Sequence, residues 1–280
     1  MTNTNPAMIS LGGDLSVHRL GFGAMRLPHR PAGARAGSIA VARRAVELGV
    51  TFIDTADAYD LGENEKLLTE ALHPYPDGVV IATKGGQCHP GDDWIPLGRP
   101  EYLRQQAELS LRRLRVDRID LYQLHRIDQT VPLADQVGAL RRMQDEGKIR
   151  QVGLSEVSVG QLLEAERITR IVSVQNRYNL LDRHSEDVLE HCARHGIAFI
   201  PWLPVHPRTS SGPLVRQIAG RLGATEVQVA LAWLLRHSPV MLPIPGTSSL
   251  AHLEQNVAAA DLELSTEDYV RLSTLAAVAV

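Results

Sequence analysis

The sequence lacks the features that define several large protein classes. Only two cysteines, Cys88 and Cys192, occur among its 280 residues, and neither belongs to a CxxC pair, so neither a disulfide framework nor a thiolate metal site is predicted. No apolar stretch reaches the roughly 18 residues that a transmembrane helix needs. The first ten residues also lack the basic and apolar segments of a secretory signal. We therefore expect a cytoplasmic protein that does not associate with membranes.

Positive charge is neither in excess nor clustered along the chain. The 29 lysines and arginines are outnumbered by 32 aspartates and glutamates, the formal net charge is −3, and no Lys/Arg run is longer than two residues. Nucleic acids and anionic lipids select clustered cations, so neither is expected as a partner. The chain is 44% hydrophobic and 22% charged, which is typical of a folded globular protein with a full core.

The sequence does contain a regular alternation of short apolar runs and longer segments of helical period. The eight apolar runs, read as buried parallel strands, are Val17–Gly23, Thr51–Asp54, Val79–Thr83, Ile119–Leu124, Gln151–Leu154, Ile171–Gln175, Ala198–Trp202 and Met241–Pro245. The helical segments are Ser38–Leu48, Glu63–Leu72, Pro100–Leu114, Leu133–Glu146, Ser158–Arg167, Glu186–His195 and Glu226–Arg236. Eight βα units predict an α/β fold, a (β/α)8 TIM barrel, as a single domain spanning residues 1–280.

Local signals refine this prediction. Met8–Leu11 and Leu15–Val17 flank a Gly-Gly-Asp turn, which predicts a short N-terminal β-hairpin that caps the bottom of the barrel. Expected N-caps are Ser158, Ser185 and Thr225, and the glycines expected to end helices are Gly49, Gly147 and Gly196. A doubly wound Rossmann sheet is the alternative, but its GxGxxG fingerprint fails at Arg26 in the segment 21–26.

Polar residues follow three consecutive predicted strands where a barrel places its active site. Asp54 ends the second strand with Tyr59 five residues later, Lys84 follows the third strand, and His125 follows the fourth. A phenol is a poor acid at neutral pH unless a nearby cation stabilises its phenolate, and Lys84 can supply that cation. His125 as neutral imidazole can donate a hydrogen bond to a carbonyl oxygen. This set predicts proton transfer to a substrate oxygen.

The chain resembles the aldo-keto reductases over essentially its whole length. The resemblance lies in the segments GFGAMRL, FIDTADAYDLGENEKLL, ATKGG, RIDLYQLHR, VGLSE, VQNRYN, IPWLP and LPIPGTSSLAHLEQN. It implies an NADPH-dependent reductase of aldehydes or ketones in which Tyr59 is the general acid, Lys84 and Asp54 modulate it, and His125 orients the substrate. NADH is the less favoured cofactor.

The resemblance also places the nicotinamide half of the cofactor. Its carboxamide is expected to meet Ser155 and Gln175, and its ring to stack on Trp202, where most relatives have tyrosine. Glu156 stands where many relatives carry an asparagine that helps to hold the carboxamide. A carboxylate cannot donate a hydrogen bond unless it is protonated, so either Ser155 and Gln175 carry more of that task or Glu156 points elsewhere.

The adenosine half shows a second departure from the family. Many relatives hold the 2′-phosphate with a lysine and an arginine, and these positions are Gly246 and His252 here. Backbone N–H groups and hydroxyls at the start of the following helix can still hold a phosphate. The remaining residues that the resemblance places at the cofactor are Gly23, Met25, Arg26, Asp54, Pro204, Thr247, Ser248, Gln255 and Asn256.

Specificity is expected to come from the loops that follow the strands. Trp94, with Tyr59 and His125, is the expected substrate contact. Subfamily segments resemble a bacterial branch that includes pyridoxal reductases, which points to pyridoxal-like or other small aldehydes. Two alternatives stay open: a regulatory NADPH-binding protein similar to channel β-subunits, and an alcohol dehydrogenase working in the reverse direction. By default we expect a monomer.

One histidine-containing segment has a spacing that is also found in metal sites. His191 and His195 lie four residues apart in the segment HCARH and would share one face of a helix. No third ligand is predicted nearby, so a solvent-facing helix is the simpler interpretation. We predict no metal.

Overall fold

The computed structural model describes residues 7–91, 93–206 and 212–275, in which strands and helices alternate. The strands are β1 (Met8–Leu11), β2 (Leu15–His18), β3 (Phe22–Gly23), β4 (Phe52–Asp54), β5 (Val80–Gly85), β6 (Gln87–Cys88), β7 (Ile95–Pro96), β8 (Ile119–Leu124), β9 (Ile149–Ser155), β10 (Ile171–Gln175) and β11 (Ala198–Phe199). The α-helices are α1 (Ala32–Glu47), α2 (Glu63–Leu72), α3 (Pro100–Leu114), α4 (Leu133–Asp145), α5 (Val159–Glu166), α6 (Glu186–His195), α7 (Pro213–Leu222), α8 (Glu226–His237), α9 (Leu250–Ala258) and α10 (Thr266–Ser273).

Seven strands form a parallel sheet in the order β11-β10-β9-β8-β5-β4-β3. The extended segment 240–244 joins its two edges. Leu242 N donates to Phe199 O (2.8 Å) beside β11, and Gly21 N donates to Pro243 O (2.9 Å) beside β3. The predicted (β/α)8 barrel is thus confirmed, with this segment in the eighth position.

Prolines explain why the last two predicted strands, Ala198–Trp202 and Met241–Pro245, are irregular. β11 is only two residues long, and the eighth segment makes a single bridge to it. Pro201, Pro243 and Pro245 have no backbone N–H, so a regular ladder cannot run through them. The closure therefore depends on the few hydrogen bonds that the remaining backbone N–H groups can make.

The N-terminal hairpin closes the bottom of the barrel, as predicted. β1 and β2 pair antiparallel, and Leu11, Leu15 and Val17 are buried in one cluster with the strand residues Phe52 and Val80. This apolar plug fills the barrel interior below the polar residues of the upper end. The predicted first strand Val17–Gly23 is divided accordingly, because its first residues belong to the hairpin and only β3 belongs to the barrel.

The helical predictions were correct in most positions and wrong in some. Ser158 and Thr225 form capping boxes, and Gly49, Gly147 and Gly196 have positive φ, all as expected. Ser185 makes no cap; its hydroxyl instead accepts a hydrogen bond from Asn176 Nδ2 (3.3 Å). Helix α1 begins at Ala32 rather than at Ser38, and helices α7 and α10 were not predicted.

Both cysteines, Cys88 and Cys192, are free thiols. Within the described ranges, every helix is too short or too polar to cross a bilayer.

Candidate active site

The alternation of side chains along parallel strands brings the predicted chemical groups together. On β5, Val80 and Ala82 pack inside the barrel, whereas Ile81 packs outward against the helices. Lys84 continues the inward series at the carboxyl end of the same strand. By the same rule Asp54 points inward at the end of β4. The helical layer and the hairpin plug leave the upper end of the barrel as the place where polar side chains meet.

A buried ion pair forms the centre of this group. Lys84 Nζ donates to Asp54 Oδ1 (2.6 Å) and to the carbonyl of Thr55 (2.7 Å), and it lies 3.4 Å from the hydroxyl of Tyr59. The Lys84 side chain has no exposed surface and that of Asp54 is 3% exposed. The pair is thus almost completely shielded from solvent, so its geometry is set by its contacts within the protein.

The second oxygen of Asp54 anchors a polar layer that sequence reasoning missed in part. Asp54 Oδ2 accepts from Gln175 Nε2 (2.9 Å) and, at the limit of hydrogen bonding, from Gln123 Nε2 (3.5 Å). Ser173 Oγ in turn lies 3.4 Å from Gln123 Oε1. Gln123 was part of a predicted strand without a role. Its signal was a polar residue in sequence alternation with Leu121, which packs inside the barrel.

Burial and neighbouring charges together set the pKa values of Tyr59 and Lys84. Burial raises the pKa of Tyr59 above its ordinary value, and the charge of Lys84 offsets this only in part. Burial alone would lower the pKa of Lys84, but the charges of Asp54 and Tyr59 and their hydrogen bonds together raise it. At neutral pH the site therefore holds a protonated phenol beside a cationic amine.

His125 is the fourth member of this group. Its imidazole lies edge-on to the Tyr59 ring, with 5.8 Å between centroids, and its Nδ1 is buried without a hydrogen-bond partner among the described residues. Burial, together with the charges of Lys84 and Arg126, lowers the pKa of His125 well below its ordinary value. The ring is thus neutral at physiological pH and can donate one hydrogen bond.

These groups open onto a cavity of about 840 Å³, a volume within the usual range of ligand sites. Tyr59 and His125 line it, whereas Lys84 lies behind them. The lining also includes most of the residues predicted at the cofactor: Gly23, Met25, Arg26, Asp54, Gln175, Trp202, Pro204, Gly246, Thr247, His252, Gln255 and Asn256. Ser155, Glu156 and Ser248 do not line it.

Two backbone segments of the cavity wall lie very close together at Gly23 and Gly246. A Cβ on Gly246 would lie 2.6 Å from Gly23 O, and a Cβ on Gly23 would lie 2.7 Å from Ile244 O. Only glycines therefore fit at this closure. Directly beyond it, Thr247 Oγ1 accepts from Ser249 N (3.1 Å), and Ser249 caps helix α9.

The side chains of Ser155 and Glu156 have partners of their own. Ser155 Oγ accepts from Arg126 Nη1 (3.0 Å), and Glu156 Oε1 accepts from Trp202 Nε1 (2.5 Å) and from Arg177 N (2.7 Å). Glu156 therefore points toward Trp202, one of the two alternatives that the sequence left open.

Trp94, the expected substrate contact, lies beside Tyr59 and His125. Its ring stacks on His89 (4.0 Å between centroids) and lies edge-on to Tyr59 (6.3 Å) and to His125 (6.2 Å). Arg126, which also lines the cavity, was missed although it directly follows His125 in the sequence. Extending the strand-end rule by one residue would have found it.

The two histidines of the HCARH segment lie next to each other on α6. Their rings stack at 4.1 Å, and His191 is 5% exposed and lies 3.5 Å from Glu166. The prediction of a solvent-facing helix was therefore wrong for His191, which packs inward. In the part of the chain that the structure describes, no group of three or more potential metal ligands comes together.

Similarity to known proteins extends over nearly the whole chain. The model of the Aldo/keto reductase family matches residues 19–277. An uncharacterized oxidoreductase of Schizosaccharomyces pombe is 48% identical over 268 residues, covering 93% of this chain and 87% of that protein. Pyridoxine 4-dehydrogenase of Escherichia coli is 40% identical over 268 residues, covering 91% and 93%. A crystal structure of a Klebsiella pneumoniae aldo/keto reductase with NADP and acetate has a TM-score of 0.85 at 29% identity, covering 96% and 95%.

Proposed function

This chain belongs to the aldo/keto reductase family, and from that premise we propose that it reduces aldehydes or ketones to alcohols with NADPH as the hydride donor. The observation that carries the proposal is the joint position of Tyr59 and His125 on the cavity wall, with Lys84 3.4 Å behind the tyrosine hydroxyl. A proton donor, a hydrogen-bond donor and a stabilising cation thus converge on one space.

The cavity fits a nicotinamide dinucleotide in two respects. Gln175 uses its Nε2 on Asp54, which leaves its Oε1 to accept from the carboxamide. The close approach of Gly23 to Gly246 leaves backbone instead of side chains along the path to helix α9, whose first turn favours a phosphate. The Klebsiella pneumoniae relative, crystallised with NADP, supports the same cofactor here.

The residues divide the chemistry between them, and the bound nicotinamide supplies the hydride. His125 donates a hydrogen bond to the carbonyl oxygen and so orients the substrate. Tyr59 gives its proton to that oxygen as the oxygen gains negative charge. Lys84 stabilises the phenolate that remains, and Asp54 holds Lys84 in place. In the reverse direction Tyr59 accepts the proton, and an alcohol is oxidised.

The substrate class that the cavity favours is a small aldehyde on a planar ring. Trp94, stacked on His89, offers a flat apolar surface on the cavity wall. A relative that is 40% identical is named pyridoxine 4-dehydrogenase. Pyridoxal and pyridoxine are therefore the first pair to test, one for each direction of the reaction.

The test compares the wild type with Tyr59→Phe in NADPH oxidation with a panel of aldehydes that includes pyridoxal. We expect kcat to fall by roughly 10²–10⁴-fold, the usual contribution of a general acid, while the dissociation constant of NADPH stays unchanged. Equal rates in the two proteins would exclude Tyr59 as the acid. Tight NADPH binding without turnover of any carbonyl would favour a regulatory binding protein instead.

A further inference from the structure

The two residues that depart from the family at the nicotinamide end are bonded to each other. Glu156 replaces an asparagine and Trp202 replaces a tyrosine, and the indole Nε1 donates to Glu156 Oε1 at 2.5 Å. The same oxygen accepts from Arg177 N at 2.7 Å. Trp202 lines the cavity and Glu156 does not. The Glu156 carboxylate therefore contacts the cavity only through the Trp202 ring.

The backbone on both sides of this hydrogen bond is strained. Glu156 has φ +55° and Leu203, directly after Trp202, has φ +52°. A residue with a Cβ pays roughly 1–2 kcal/mol in this left-handed region, and asparagine is the side chain that tolerates it best. Glutamate has no such tolerance. Its presence here needs an offsetting interaction, which the two bonds to Oε1 supply.

Two guanidinium groups lie near the Trp202 ring, and one of them also interacts with the charge of Glu156. The Cζ atoms of Arg126 and Arg177 lie 6.0 Å and 5.8 Å from the Trp202 ring centroid, at the outer limit of a cation–π contact. Arg126 interacts electrostatically with Glu156, and its guanidinium donates a hydrogen bond to Ser155 Oγ (3.0 Å). Arg177 itself pairs with Asp182 (2.8 Å), so Arg126 is the guanidinium whose charge acts on Glu156.

We propose that Glu156 is a positioning residue, which fixes the plane of the Trp202 ring through its N–H so that the ring forms the nicotinamide wall of the cavity. The inference rests on the proposed function, because it assumes that the nicotinamide lies against Trp202. The indole has one polar atom, so one acceptor suffices to select one ring orientation. Without the Glu156 acceptor, cofactor binding would have to fix the orientation of the Trp202 ring, and the lost conformational entropy would weaken the affinity.

The experiment measures the NADPH dissociation constant of the full chain by quenching of intrinsic fluorescence, for Glu156→Ala, Glu156→Gln, Trp202→Phe and the double variant Glu156→Ala/Trp202→Phe. We expect Glu156→Ala to weaken binding on the order of tenfold, the scale of one hydrogen bond to a charged group. Glu156→Gln keeps an acceptor oxygen and should restore most of that affinity. In the Trp202→Phe background, which has no N–H, Glu156→Ala should change the constant less than twofold.

A second readout needs no cofactor. Near-ultraviolet circular dichroism of the free protein reports the setting of indole rings, and it should change in Glu156→Ala but not in Glu156→Gln. An equal loss of affinity in both backgrounds would overturn the positioning role, and so would an unchanged constant in Glu156→Ala. If the wild type itself fails to bind NADPH, the proposed function fails, and the inference fails with it for that separate reason.

Discussion

Lys84 and Asp54 form an ion pair in which Nζ lies 2.6 Å from Oδ1, and the two side chains are 0% and 3% exposed. Such a pair acts as a unit, because each charge is tolerable in the barrel interior only with the other present. Its role is to keep a cation beside the Tyr59 hydroxyl without help from solvent.

Breaking this pair should cost stability as well as activity. Lys84→Met leaves the Asp54 carboxylate buried without its partner, which costs about 3–5 kcal/mol in free energy of unfolding. The double variant Lys84→Met/Asp54→Asn removes both charges and should recover most of this loss, while kcat stays low in both proteins. Urea denaturation gives the stabilities. Additive losses in the double variant would show that the two residues do not act as a unit.

His125 predicts a specific dependence of stability on pH. Its pKa lies well below 6.5 in the folded protein because of burial and the charges of Lys84 and Arg126, whereas in the unfolded chain it is ordinary. Below about pH 6.5 the unfolded chain therefore binds a proton that the folded protein does not, so stability falls with decreasing pH until the folded pKa is reached.

The measurement compares urea unfolding of the wild type and His125→Gln between pH 8 and pH 5. The stability advantage of the wild type should be constant above pH 6.5 and should shrink below it by up to about 1.4 kcal/mol per pH unit. Other titrating groups are common to both proteins and cancel. An advantage that grows in acid would contradict a depressed pKa.

The close backbone contact at the barrel closure predicts that position 246 does not tolerate a side chain. In Gly246→Ala the new Cβ would lie 2.6 Å from Gly23 O, a backbone atom that cannot move aside without opening the closure. We expect a loss of about 1–3 kcal/mol and weaker NADPH binding. Gly37→Ala is the control: Gly37 lies within α1 with nothing within 4 Å of its Cβ position, so alanine should stabilise by about 0.5–1 kcal/mol. Thermal denaturation of the two variants decides between these outcomes.

His252 bears on the choice between NADPH and NADH. It is exposed on the first turn of α9 and lines the cavity. His252→Arg should tighten NADPH binding by roughly fivefold, the scale of an exposed charge pair, and should leave NADH binding unchanged. Ala251→Arg places the same charge one residue earlier on the same helix and should have little effect. An equal gain for both cofactors in His252→Arg would show that the 2′-phosphate lies elsewhere.

Trp94 is expected to contribute to substrate binding without contributing to cofactor binding. Trp94→Ala removes a ring that contacts Tyr59 and His125 edge-on, and KM for aromatic aldehydes should rise by about tenfold. Ile95→Ala changes the adjacent exposed residue, which does not line the cavity, and serves as the control. A rise in the NADPH dissociation constant of Trp94→Ala would place Trp94 at the cofactor instead.

The sequence alone determined the fold and the centre of the site, for a common physical reason. Buried parallel strands require continuous apolar runs, and eight such runs separated by helical segments leave few architectures. Polar residues at the ends of those runs, Asp54, Lys84 and His125, stand out because they occur at the same end of three consecutive predicted strands. Tyr59 was added by its spacing and by the family resemblance.

Tertiary structure decided what depends on contacts between distant segments. The closure of the barrel by segment 240–244 depends on which N–H groups the prolines leave available, and no local pattern reports that. The hydrogen bond from Trp202 to Glu156 joins residues 46 positions apart, as a bend after β9 meets a bend after β11. Whether Glu156 faced the cofactor or pointed elsewhere was open in the sequence, and only the folded position of the indole N–H showed that its carboxylate points toward Trp202.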